Sequence, residues 1–159
     1  MATRQWSASG TGDLLAAFLF PFGLLSYPFG RLAERYSRRR LVMLGSALYG
    51  LGVACVGVLP ATALWGLMPV LGIGSAVMFV PTLLWLLDRA PGIGRSTAMA
   101  SFHAAGSLGF LHGPLACGAL VRLGDDPASG YVIAFCVAGL LEVTAAAIVL
   151  GSLRSDSPR

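Results

Sequence analysis

Apolar and polar positions along this chain fall into long blocks. Apolar stretches run at 14–30, 41–59, 64–87, 97–121 and 131–150, and short polar connections separate them. A helix that crosses a bilayer needs about 20 mostly apolar residues. The pattern therefore predicts an all-α integral membrane fold of five transmembrane helices. The first stretch is the shortest and contains Pro21 and Pro28. In a membrane such breaks stand when neighbouring helices satisfy the freed carbonyls. Pro60-Ala61-Thr62-Ala63 reads as a tight turn, while Pro91-Gly92 and Asp125-Asp126-Pro127 mark two further polar turns. On this reading residues 1–13 are an N-terminal tail, 14–151 the bundle and 152–159 a C-terminal tail.

Composition narrows the surroundings. Hydrophobic residues make up 56% of the 159 positions and charged residues 11%, against roughly 25% charged in a soluble domain. Mean hydropathy is +0.77. Too little polar surface remains to coat a globule in water, so the lipid bilayer is the expected partner. Five spans leave no room for a separate soluble domain. The net charge of +4 alone would also fit a nucleic-acid binder, but the charges sit at the ends of apolar segments and form no stripe. No nucleic acid is expected. Cys55, Cys117 and Cys136 lie inside apolar stretches. Odd in number and without metal-like spacing, they read as small packing residues. No metal and no cofactor is implied. The N-terminal tail carries Arg4 as its one basic residue and lacks the layout of a cleaved leader.

Charge then orients the bundle. Every basic residue is an arginine, and five of the 11 crowd the connection between the first two stretches. Cytoplasmic loops carry the excess of basic residues. With that connection inside, Arg31, Arg35, Arg38, Arg39, Arg40, Arg89, Arg95, Arg154 and Arg159 fall on the cytoplasmic side, and Arg4 and Arg122 fall outside. Nine against two predicts an extracytoplasmic N-terminus and a cytoplasmic C-terminus in a cell (inner) membrane.

The same connection reads Gly30-Arg31-Leu32-Ala33-Glu34-Arg35-Tyr36-Ser37-Arg38-Arg39. It resembles the Gly-x-Leu-Ala-Asp-Arg-x-Gly-Arg-Arg loop that follows the second helix of each six-helix half in the major facilitator superfamily of transporters. Glu34 stands where the pattern has Asp, and Ser37 where it has Gly, a replacement that costs energy if the turn needs a left-handed residue. The resemblance implies that Gly30, Glu34, Arg35, Arg38 and Arg39 form a charge lock that holds one state of an alternating-access cycle. The bland alternative is a basic loop that only sets topology.

Further along, Gly109-Phe110-Leu111-His112-Gly113-Pro114-Leu115-Ala116-Cys117-Gly118 resembles the Gly-x-x-x-Gly-Pro-x-x-Gly-Gly signature of proton-coupled antiporters in that superfamily. Cys117 replaces one Gly, and similar Gly-Pro segments occur in its eleventh helix. Read from the residues alone, Ser101, Ala105, Gly109, Gly113 and Cys117 recur every four positions. They make a small-residue ridge that lets another helix approach closely, and Pro114 adds a bend. Gly109, Gly113, Pro114 and Gly118 are the candidate packing and bend residues. The segment around Gly72-Ile73-Gly74 and Pro81 is similar to a fourth or tenth helix, and the ending is similar to a twelfth. The resemblance thus implies helices eight to twelve of a twelve-helix transporter, with helices two to six as the alternative.

Ionisable side chains inside a membrane are functional candidates by default. Glu142 lies near the middle of the last stretch and is a possible proton or substrate site; the alternative is a carboxyl satisfied by neighbouring helices. His103 and His112 are nine residues apart, which places them on opposite faces of a helix. Trp65 and Trp85 read as interfacial anchors. No nucleophile motif, phosphate loop or paired carboxylate is present, so no enzyme is expected. The resulting expectation is a portion of a secondary transporter for an unknown small molecule, with proton-coupled efflux as its finer form. It would be completed by a complementary half. The competing expectation is a truncated or split-gene fragment that acts only as an assembly partner or remains inert.

Overall fold

The computed structural model describes residues 8–89, 92 and 94–152. They build five helices: α1 (Ala8–Arg35), α2 (Arg38–Val58), α3 (Ala61–Arg89), α4 (Arg95–Val121) and α5 (Pro127–Ser152). No strand occurs among the described residues. All five are long and apolar enough to cross a membrane, the architecture of a multi-pass membrane protein. Each helix starts earlier than its apolar block: α1 begins at Ala8 and runs to Arg35, and α5 begins at Pro127. The physical reason is that hydropathy marks where hydrocarbon ends, whereas a helix goes on satisfying its backbone groups beyond that edge. Of the two tails, residues 1–7 and 153–159 lie outside the described residues, and Arg4, Arg154 and Arg159 lie with them.

The helices continue through their prolines: Pro21 and Pro28 in α1, Pro69 and Pro81 in α3, Pro114 in α4. Hydroxyls within the spans bond their own helix. Ser26 donates to the Phe22 carbonyl at 2.6 Å, and Thr144 to the Leu140 carbonyl at 2.7 Å. A polar side chain satisfied in this way crosses lipid at little cost.

Helix α2 is wedged between α3 and α5, and α1 lies along α3. Small residues set these distances. A Cβ on Gly45 would stand 2.6 Å from the Met78 backbone nitrogen, and one on Gly52 would stand 2.6 Å from Leu71 Cδ2, so this face of α2 meets α3. A Cβ on Gly50 would stand 2.8 Å from the Gly139 carbonyl oxygen, and one on Gly57 would stand 2.9 Å from Val132 Cα, so that face meets α5. The α1–α3 contact centres on Gly72 against the Phe18 carbonyl oxygen and Pro21. Val56, Leu64 and Leu71 form the core there, with Phe18, Tyr49, Val53 and Phe135 packed around them. By contrast α4 stands at the margin. Ala98 is its buried residue, and Phe102 meets Phe79 of α3 edge to face at 5.1 Å.

Candidate functional site

At the tip between α1 and α2 the chain reverses within two residues. Tyr36 N–H donates to the Leu32 carbonyl at 2.9 Å, and Leu41 N–H to the Ser37 carbonyl at 3.2 Å. Ser37 has φ −58° and ψ 112°, an ordinary extended backbone. The turn needs no left-handed residue, so Ser in place of Gly is accommodated without strain. Ala33 is 2% exposed, and a Cβ on Gly30 would stand 3.3 Å from Val80 Cγ1. The end of α1 is therefore seated on α3.

Arg38 joins three helix ends. From the first turn of α2 its Nε donates to the Ala33 carbonyl of α1 at 3.4 Å. One terminal nitrogen donates to the Leu84 carbonyl of α3 at 3.2 Å, and the guanidinium pairs with the Asp88 carboxylate. Helix C-termini carry the negative end of the backbone dipole, so a guanidinium between the ends of α1 and α3 is placed where the field favours it. Asp88 is 59% exposed and Arg38 26%. Such a pair contributes about 1 kcal/mol or less, enough to bias a hairpin and cheap to break. Glu34 and Arg35 are exposed beside it, and Arg39 is half-buried. The structure thus brings Arg38 and Asp88 together, while Gly30 sits against Val80 further along α3, and the carboxylate that meets Arg38 is Asp88.

The ridge on α4 has a different setting. A Cβ on Gly109, Gly113 or Gly118 would meet no heavy atom of a neighbouring element within 4 Å, and Pro114 is exposed. Phe110 on the same helix is 85% exposed. No helix among the described residues covers this face. His103 and His112 are both exposed. His112 Nδ1 donates to the Leu108 carbonyl of its own helix at 2.9 Å.

Between α2, α3, α4 and α5 lies a cleft of about 280 Å³ lined by Val42, Ser46, Phe79, Trp85, Phe102 and Glu142, among others. Glu142 is half-buried, and its Cβ would lie 3.4 Å from a Cβ on Gly50, where α2 runs past it. Trp85 forms part of this wall, and Trp65 is exposed. The histidines do not line the cleft, so Glu142 stands apart from them. Among the described residues no three metal-capable side chains converge.

A sequence model described as Major Facilitator Superfamily matches residues 1–159. The chain belongs to the major facilitator superfamily. It is 31% identical over 126 residues to "Multidrug resistance protein 2" of Bacillus subtilis (strain 168), a match covering 78% of this chain and 31% of that protein. It is 28% identical over 162 residues to "Probable anion transporter 3, chloroplastic" of Arabidopsis thaliana, covering 96% of this chain and 30% of that one. The chain spans about a third of the length of these relatives. No solved structure matches it.

In this superfamily chain the residue that motif reading passed over is Asp88. It lies one position beyond the apolar block 64–87, where it reads as the first residue of a polar turn. A usable signal was available: helices of alternating direction bring the end of α3 to the same side as the α1–α2 hairpin. An acidic residue at that end faces a run of arginines.

Proposed function

We propose that this chain is part of an alternating-access secondary transporter that moves a small molecule across a cell (inner) membrane. It works with further helices that form the complementary half. The N-terminus is extracytoplasmic, and transport is coupled to proton movement. The observation that supports the reading is the Arg38 junction. It fastens the α1–α2 hairpin to α3 through contacts on the bundle's rim, and it leaves Glu34 exposed for an opposing half. A junction worth about 1 kcal/mol suits a part that must form in one state and yield in another.

The test is uptake or efflux in vesicles that contain the chain together with its complementary half, compared with vesicles that contain the chain alone. Saturable, gradient-driven transport is expected with both and not with the chain alone. In the assembled protein Glu34→Gln and Arg38→Ala should change turnover more than substrate affinity. Transport by the chain alone, or a loss of affinity at unchanged turnover, would overturn the reading.

A further inference from the structure

We propose that the seam between α2 and α5 binds an anionic phospholipid, with the headgroup at Arg40 and one acyl chain in the groove below it. The groove has a volume of about 280 Å³ and runs between the two helices. Its floor is backbone. A Cβ on Gly139 would stand 2.9 Å from the Ala54 nitrogen, and one on Gly50 would stand 2.8 Å from the Gly139 carbonyl oxygen. Leu51 on the α2 side is 64% exposed, and Leu140 on the α5 side 65%. Ala54, Cys136 and Val143 complete the lining, which includes no charged side chain.

Arg40 stands at the head of this groove. Leu51 follows it by close to three full turns and Ala47 by close to two, so the three share one face of α2, and Arg40 is exposed. Along the helix axis Leu51 is about 16 Å from Arg40. One leaflet of a hydrocarbon core about 30 Å thick spans about 15 Å. An acyl chain that starts beside Arg40 therefore ends in the groove. Charge selects the headgroup. The connection carries Arg31, Arg35, Arg38, Arg39 and Arg40 against Glu34, and Asp88 takes up Arg38. The remaining excess is positive, and basic residues at a membrane surface attract anionic headgroups. A free anion would leave the groove unused. A further helix fits poorly, because Gly50 and Gly139 are already engaged in holding α2 to α5. Close helix contact needs a face of small residues, and here exposed leucines flank the floor on both sides. A groove open to the bilayer forfeits dispersion contacts until a chain fills it.

Lipid binding here does not depend on the transport reading, and it is measured without transport. The test uses the full chain in phosphatidylcholine nanodiscs. Leu140→Trp, with Trp6, Trp65 and Trp85 replaced by Phe, puts the reporter on the groove wall. The quencher is phosphatidylglycerol brominated near the ends of its chains. It should quench at a mole fraction about tenfold lower than equally brominated phosphatidylcholine. Arg40→Gln should cut that preference about fivefold, the share of one arginine, whereas Arg122→Gln at the far end of α4 should leave it unchanged. Glycerol phosphate, which has no chains, should not displace the lipid. Native mass spectrometry of the unmodified chain should retain phosphatidylglycerol over phosphatidylcholine, a comparison that decides even if the reporter variant fails to fold. Equal quenching or equal retention of the two lipids would overturn the proposal. So would an unchanged preference in Arg40→Gln, or displacement by glycerol phosphate. Loss of quenching when the complementary half is co-assembled would also overturn it, since a helix would then fill the groove.

Discussion

Helices α2 and α4 each carry four glycines, at 45, 50, 52 and 57 in the first and at 106, 109, 113 and 118 in the second. In α2 a Cβ at every one of these positions would press on a neighbouring helix; in α4 none would meet anything within 4 Å. In lipid the tails are as apolar as the side chains, so packing between matched surfaces, more than burial, joins helices. A glycine permits a close approach without causing one. In α2 the glycines form two pairs spaced by seven residues, Gly45 with Gly52 and Gly50 with Gly57. Seven residues are nearly two full turns, so each pair marks one face, and the two faces meet α3 and α5. The four-residue ridge of α4 is the more regular pattern, and it has no partner among the described residues.

The largest effect is expected where α2 crosses α5. Gly139→Leu would drive a side chain into the Gly50 carbonyl and Ala54, and Gly50→Leu would do the reverse. Overpacking of this kind costs about 1–3 kcal/mol and occasionally more, and here both partners are backbone. Thermal unfolding in detergent, followed by circular dichroism, should show a large fall for either variant. Gly113→Leu in the same chain should stay within about 0.5 kcal/mol. Equal destabilisation by Gly113→Leu would mean that α4 packs against something after all.

The same α4 substitution sharpens the contrast when the complementary half is co-produced. If the ridge is a seat for a further helix, Gly113→Leu should then reduce co-purification, with a cost of about 1–3 kcal/mol that is absent in the chain alone. Unchanged co-purification would assign the α4 face to lipid. A smaller effect is expected at the start of α2. Arg38→Ala removes the bonds to Ala33 and Leu84 and the pair with Asp88, at a cost of about 1 kcal/mol. Hydrogen exchange in the α1–α2 turn should rise, and Asp88→Asn should reproduce part of the rise. Exchange that is unchanged in both variants would remove Arg38 from the role of fastener.

Much of the architecture was legible because hydropathy alone separates hydrocarbon from water. Five apolar blocks became five helices for that reason. The ends were not legible, since Arg35 and Asp88 lie outside the apolar blocks yet inside α1 and α3. The hairpin motif led to Arg38, whereas its acidic partner emerged only when α3 was placed beside it. Glu142 was readable as a lone intramembrane carboxyl, but the cleft around it draws on four helices, and no local pattern encodes that meeting. The α4 ridge shows the converse. Its periodicity was plain, and its partner is absent from the described residues.

The smallest effect is expected at the starts of α4 and α5. Helix α4 starts from Gly94 with no side-chain cap. Helix α5 starts behind Asp126, whose Oδ1 accepts the Ala128 N–H at 2.8 Å and the Ser129 N–H at 3.2 Å. Ser129 Oγ returns a bond to the Asp126 carbonyl at 2.8 Å. This cap satisfies donors that the first turn of any helix leaves open. The Ser129 and Ala128 backbone N–H groups hold the Asp126 carboxyl below its ordinary value, and the Ser129 hydroxyl adds to the effect. The sign follows from the charged form being the one that is bonded. The contribution is complete above the ordinary aspartate range of about 3.9, and it is lost as pH falls through the lower folded value. Because Asp126 is exposed, the loss should stay local to the first turn of α5. Titration of the Asp126 carboxyl carbon by NMR should give a midpoint below that of an unperturbed aspartate, and Ser129→Ala should move it upward. Asp126→Ala should speed amide exchange at Ala128 and Ser129 while leaving the start of α4 unchanged. A midpoint at or above the ordinary value would show that the cap does not form, and α5 would then begin as openly as α4.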